Sequence, residues 1–441
     1  MGNVRAMSDP VASPIAGSPP TANPGAGAAT AGAAPARAPA LGFIFVTLVL
    51  LVLGFGIIIP VLPGLVTQFE GGSVAEGSNA YGSLIGVFAL MQFVASPVLG
   101  ALSDRYGRRR VLFVALAGSI VDNLVMGLAP SLGWLYLGRM IAGATAGVIA
   151  TCSAYIADVT PPEKRAQSFG LIGAAFGLGF VVGPAVGGLL GHYNLRLPFF
   201  ASAACLVVNL LYGVFVLPES LPPARRRAFE WKHANPIGAL AMLRRFPGIL
   251  GLAGVYFLYL LGSVMLQSIW VLYTAYRYHW STRQVGLSLA AVGVATAIVQ
   301  GWLVRPILER LGEPRGLAAG LLLTAVAMIG YGCAPAGWMV YVIIVLASFG
   351  GIAGPATQSL ITRHIPADEQ GAVQGVLASL SSLAGIFGPP VAAWSFGLCI
   401  APGLALQLPG VAFFEASTLL LLAFGLALRA FRADAAAGRT V

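Results

Sequence analysis

Along the 441 residues, polar positions fall in short clusters separated by apolar runs of about 20 residues or more. A helix needs about 20 apolar residues to cross the hydrocarbon of a bilayer. The pattern therefore predicts spans near 42–66, 81–102, 111–129, 134–156, 166–190 and 198–217, then near 248–273, 284–304, 316–333, 338–360, 371–395 and 410–428. Composition agrees, with 58% hydrophobic and 9% charged residues against roughly 25% charged in a soluble domain. An all-α membrane protein of 12 spans is expected, and a soluble globular protein is excluded.

The segments between the runs set the organisation. Residues 1–40 are rich in Ala, Pro and Gly and carry only Arg5, Asp9 and Arg37 as charges, too little apolar surface to fold. They read as a disordered tail. A first bundle is expected over 41–217, a linker over 218–247 with Arg225, Arg226, Arg227, Lys232, Arg244 and Arg245, a second bundle over 248–430, and a short tail over 431–441. Of the 25 Lys and Arg, 21 fall on the side of the N-terminus, Arg196, Arg277 and Arg283 on the other, and Arg139 inside span 4. By the positive-inside rule both termini are cytoplasmic, in the cell membrane, or the inner membrane of a bacterium.

A shift of 205 residues lays Asp104-Arg105-x-Gly107 on Glu309-Arg310-x-Gly312, Ala129-Pro130 on Ala334-Pro335, and Gly183-Pro184 on Gly388-Pro389. One gapless offset through several loops and spans points to duplication, hence to two pseudo-symmetric six-helix bundles. Such halves rocking about a central site are a transporter design. The net charge of +10 is too dispersed for a nucleic-acid footprint. Cys152, Cys205, Cys333 and Cys399 all lie in apolar runs and are expected to be buried thiols, with no disulfide framework, metal site or cofactor. His192, His233, His279 and His364 fall at span ends or loops, so an intramembrane nucleophile lacks a base and no enzyme is expected.

Charged groups within a bilayer are costly and usually functional. Only Asp122 in span 3, Arg139 in span 4 and Glu415 in span 12 are expected there. Asp122 and Arg139 fall at similar depth on consecutive antiparallel helices, where they can pair and take part in proton coupling; Glu415 is the third candidate. Gln92, Asn123, Gln267, Trp270, Gln300 and Gln358 are candidate polar anchors of a mostly apolar substrate cavity. Asp158, at the inner end of span 4, reads as a helix-end or gating contact.

The turn Gly100-Ala-Leu-Ser-Asp104-Arg105-Tyr-Gly107-Arg108-Arg109-Arg110 sets an acid and four Arg between two helix ends, which ion pairs and helix-end charge can lock. It resembles the signature loop of the major facilitator superfamily, making Gly100, Asp104, Arg105, Gly107, Arg108 and Arg109, with Glu309, Arg310 and Gly312 in the second half, a candidate cytoplasmic gate. In span 5, Gly179, Gly183, Pro184, Gly187 and Gly188 open a flat packing face and resemble the motif that marks antiporters of that superfamily. Leu137-Gly138-Arg139-x-x-x-Gly143 resembles its span-4 motif, whose Arg is implicated in proton transfer.

With Met91-Gln92-Phe93, Ser96 through Arg109 and Ala154 through Thr160, residues 43–428 look like the tetracycline-resistance branch of the 12-span drug/proton antiporters. The resemblance implies the major facilitator fold and proton-coupled efflux of amphipathic small molecules, tetracycline-like drugs among them, by a monomer in the bilayer. A facilitator or metabolite carrier on the same fold is the alternative. The span-1 acid common in tetracycline exporters falls on Leu51, and span 9 carries no acid between Arg315 and Cys333.

Overall fold

The computed structural model describes residues 38–161, 164–226, 250–363, 370–404 and 406–436. Most of the linker and the extreme tails lie outside these ranges. Among the described residues, twelve helical segments are long and apolar enough to cross a membrane. Spans 1 to 6 are Leu41–Phe69, Val74–Tyr106, Arg108–Leu128, Leu132–Val159, Ser168–Tyr193 and Leu197–Val216. Spans 7 to 12 are Leu250–Tyr278, Thr282–Leu311, Glu313–Cys333, Gly337–Arg363, Val373–Cys399 and Val411–Arg432. Most run past their expected ends, because polar residues extend several helices beyond the apolar stretch. The first helix begins at Ala38, inside the expected tail, and the last continues to Ala436.

Several spans are broken, two of them beside a proline. Span 1 turns between Ile58 and Leu62, where Pro60 lacks the N–H that an unbroken helix requires. Span 4 breaks at 145–147 and span 10 at 351–352, one repeat period apart. Span 8 contains a π-helical turn over Val299–Leu303. Pro306 follows and crowds the carbonyl four residues back, at Trp302, which falls within that turn.

The duplication is visible in the backbone. Span 3 (Arg108–Leu128) and span 9 (Glu313–Cys333) begin and end 205 residues apart. Each follows a glycine with positive φ, Gly107 at 99° and Gly312 at 77°, which is why both turns need Gly. Span 12 instead starts later than the repeat implies, after the loop that follows Cys399.

The side holding residues 38 and 436 is here termed the tail side, and the opposite one the far side. The two halves meet through span 2 on span 11 and span 5 on span 8, chiefly toward the far side. There Ser78 Oγ donates to the Ala393 carbonyl at 3.0 Å, and Gly82 and Gly86 lie against Pro389 and Pro390. Gly188 lies against Thr282 and Gly286, so closely that a Cβ would stand 2.5 Å from the Thr282 carbonyl. Toward the tail side Gly100, Gly170, Gly173, Gly177 and Gly301 have open space where a Cβ would be. The contacts between the halves shown by these residues gather on the far side. The four cysteines form no disulfide, but only Cys152 is buried; Cys333 is exposed, because its apolar span faces outward at that position.

Candidate functional site

Span 3 carries Asp122 on the face that packs against span 4, where glycine lets the helices approach. A Cβ on Gly138 would come within 2.8 Å of Met126 and 3.0 Å of Asp122 Oδ1. In the space so left, Arg139 Nη2 donates to Asp122 Oδ2 at 3.0 Å. Asp122 is 3% exposed and Arg139 5%, so the pair is nearly free of solvent screening. The guanidinium also lies over the Phe88 ring, 5.0 Å from its centroid, a favourable cation–π position.

The pair lines a cavity of about 290 Å³ in the first half. Its walls are mostly apolar, with Leu51 and Phe55 from span 1, Phe88 from span 2, and Phe176 and Phe180 from span 5. Gln92, Ser119, Asn123 and Ser202 add sparse polar points. Asn123 Nδ2 donates to the Ser119 carbonyl at 2.7 Å, which fixes the amide so that Oδ1 can only accept elsewhere. Among the described residues, Asp122 Oδ1, Asn123 Oδ1, Arg139 Nε and Ser202 Oγ have no hydrogen-bond partner. Leaving buried polar atoms unpaired costs about 1 to 3 kcal/mol each. The site therefore holds unused capacity for a proton, water or a polar ligand group.

The other cavity candidates lie in the second half, away from these walls. Trp270 is buried in the core, donating to Ser288 Oγ at 3.0 Å and meeting Tyr331 edge-on. Gln358 is exposed and donates to the Tyr256 hydroxyl at 3.0 Å. Gln267 is exposed, and Gln300 is exposed within the π-helical turn. Glu415 stands between spans 11 and 12, where its Oε2 accepts from Ser395 Oγ at 2.9 Å.

At the tail-side turn, Arg108 joins Asp104 at 2.6 Å, Asp158 at 3.1 Å and Ser103 Oγ at 2.5 Å. Arg109 Nη2 donates to the Val214 carbonyl at 2.7 Å, whereas Arg105 is exposed and lies over the Tyr106 ring. In the second half Glu309 pairs with Arg305 at 2.8 Å, both exposed, and Arg310 is exposed. Gly179, Gly183 and Gly187 press against Val52, Gly56 and Ile57 of span 1, Pro184 packs beside Gly56, and Gly188 continues the seam onto span 8.

Two features carried no readable signal in the chain. Glu219, just past span 6, has Oε1 accepting the backbone N–H of Arg108 at 2.8 Å and of Leu221 at 3.2 Å. A carboxylate there satisfies free donors at the start of span 3 and offsets the cations that oppose its helix dipole. Ser202, fully buried, faces Gly54 across spans 1 and 6, and a single Ser in an apolar run has no mark that distinguishes it.

A 12-span helical membrane protein of two repeated halves, with a buried ion pair beside an apolar cavity, has the build of a membrane transporter rather than an enzyme. The sequence profile of the Major Facilitator Superfamily matches residues 44–389 and 252–439, and the chain belongs to that family. It is 40% identical over 351 residues to the tetracycline resistance protein of class C from Escherichia coli, covering 79% of this chain and 88% of that one. It is 38% identical over 337 residues to the class G protein from Vibrio anguillarum, covering 76% and 85%. The crystal structure of the human organic anion transporter MFSD10 (TETRAN) superposes with a TM-score of 0.67 at 28% identity, covering 88% of this chain and 99% of that one.

Proposed function

We propose that this chain exports amphipathic small molecules in exchange for protons, by alternating access of a cavity between cytoplasm and exterior. The observation that carries this reading is the buried Asp122–Arg139 pair on the wall of a mostly apolar cavity. A carboxylate beside a guanidinium stays ionised, and the same group parted from its partner in apolar surroundings takes up a proton. Motion of span 3 against span 4 thus links proton uptake to the position of Arg139. With both termini cytoplasmic, the tail side is the cytoplasmic side. Gly100, Asp104, Arg105, Gly107, Arg108 and Arg109, with Glu309, Arg310 and Gly312, then form the gate that closes when the cavity turns outward. The monomer is the proposed working unit.

Tetracycline-like drugs are candidate substrates, on the names of the relatives. The wall at Leu51 is apolar, and a substrate donor or cation that needed a carboxylate there would lose roughly five- to 150-fold in affinity. Stronger resistance to lipophilic drugs than to tetracycline is expected in a sensitive host expressing the chain. The direct test is proteoliposomes with an imposed proton gradient. Substrate movement that collapses with the gradient supports exchange, whereas movement indifferent to it favours a facilitator.

A further inference from the structure

Away from the Asp122 cavity, a second hollow of about 360 Å³ opens on the flank of the second half. Spans 11 and 12 both pack along span 7 but touch each other sparingly, which leaves a furrow between them. Leu261 and Met265 of span 7 form its floor, Phe387 and Val391 of span 11 one wall, and Thr418 and Leu419 of span 12 the other. Phe387 is 56% exposed and Val391 47%, while Pro389, Pro390 and Ala393 on the same helix pack against span 2. The furrow therefore faces the bilayer rather than the seam between the halves.

Glu415 stands in this furrow. Its Oε2 accepts from Ser395 Oγ, and among the described residues Oε1 has no protein donor and the carboxylate no basic partner. Glu415 and Ser395 each lie four residues from the far-side ends of their helices, Val411 and Cys399, about 6 Å of rise. That depth is near the margin of the hydrocarbon and not at its centre. A carboxylate facing lipid is costly until a cation or several donors meet it. The apolar walls fit an acyl chain, and the carboxylate fits a primary ammonium, which offers three N–H donors as well as charge.

We infer that the furrow between spans 7, 11 and 12 is a binding site for a far-leaflet phospholipid with a primary-ammonium headgroup. The ammonium rests on Glu415 and an acyl chain lies along Met265 and Val391. A choline headgroup has the charge but no N–H, and a glycerol headgroup on an anionic phosphate has hydroxyls but no cation.

The test uses the full chain in nanodiscs of equimolar phosphatidylethanolamine, phosphatidylcholine and phosphatidylglycerol, with retained lipids identified by native mass spectrometry. Phosphatidylethanolamine should be retained roughly three- to ten-fold over the other two. Glu415→Gln should bring that ratio near one, and Val391→Trp, which fills the furrow, should lower the number of retained lipids of every headgroup. Both positions face lipid, and unchanged melting of the variants checks their fold. The inference is overturned if Glu415→Gln keeps the preference or if Val391→Trp leaves the lipid count unchanged. It is equally overturned if Glu415→Gln leaves lipid retention intact and stops proton-driven transport, which would make Glu415 a coupling acid.

Discussion

Asp122 and Arg139 illustrate how one contact can serve both fold and function. Breaking a buried pair by removing one partner costs about 3 to 5 kcal/mol, so a lost activity alone does not separate the two roles. Asp122→Asn retains the size and much of the hydrogen bonding of the carboxylate but cannot titrate. We expect it to bind substrate and to exchange it across the membrane without a gradient, while proton-driven accumulation in proteoliposomes falls to background. Unchanged accumulation would remove Asp122 from coupling. Gly107 and Gly312 offer a second comparison. Both hold positive φ, a region that costs other residues about 1 to 3 kcal/mol. A Cβ at 107 would also collide with the Glu219 carboxylate, while at 312 it meets only Pro314 Cδ at 3.9 Å. Gly107→Ala should therefore lower the thermal unfolding midpoint more than Gly312→Ala. Equal losses would show that Glu219 adds nothing at that turn.

Between elements, the two halves share a clasp with its charges reversed. In the first half Arg108 at the start of span 3 pairs with Asp158 at the end of span 4. One repeat period on, Glu313 at the start of span 9 pairs with Arg363 at the end of span 10, at 2.8 Å. The second arrangement suits the helix dipoles, acid at an N-terminus and base at a C-terminus. The first opposes them and carries Glu219 as compensation. Exchange within the second clasp, Glu313→Arg with Arg363→Glu, should recover only part of what either single change loses, because it reverses the favourable dipole arrangement and removes the hydrogen bond that Glu313 Oε1 accepts from Ser359 Oγ at 2.6 Å. The same exchange of Arg108 and Asp158 should fail, because Asp104 and Glu219 also face position 108. Thermal melts of the four single and two double variants check both statements.

At the scale of the whole molecule, the halves touch chiefly toward the far side, and the proposed cycle requires those contacts to part. Ala89 of span 2 and Gly385 of span 11 face each other across the halves, with 3.4 Å between the Ala89 Cβ and the Cβ that position 385 would carry, close to the spacing a disulfide spans. The double variant Ala89→Cys/Gly385→Cys should stop transport on oxidation and regain it on reduction, with each single variant unaffected. Continued transport by the oxidised, cross-linked protein would rule out separation of spans 2 and 11 as a step. Cysteine placed at Arg105 or Gly173 should label at a rate that changes with substrate or pH. A constant rate at both positions would make the tail-side turn a topology signal alone.

Much of this was legible in the chain, for physical reasons. A bilayer demands about 20 apolar residues per helix, so the number of spans follows from hydropathy alone. Tight inter-helix turns demand glycine at positive φ, so Gly107 and Gly312 recur at the repeat distance and reveal the duplication. Charge in an apolar span is rare enough that Asp122 and Arg139 stand out singly. Helices that are apolar all round give no sign of which face meets which neighbour. The placing of Gln92 and Asn123 on the cavity and of Trp270 in the core was therefore decided by packing. So was the clasp of Arg108 with Asp158 and Glu219, which joins residues 50 and 111 positions apart. Glu415 lies in the furrow between spans 11 and 12 and off the Asp122 cavity because those spans touch each other sparingly over span 7, a consequence of helix packing that no local pattern encodes.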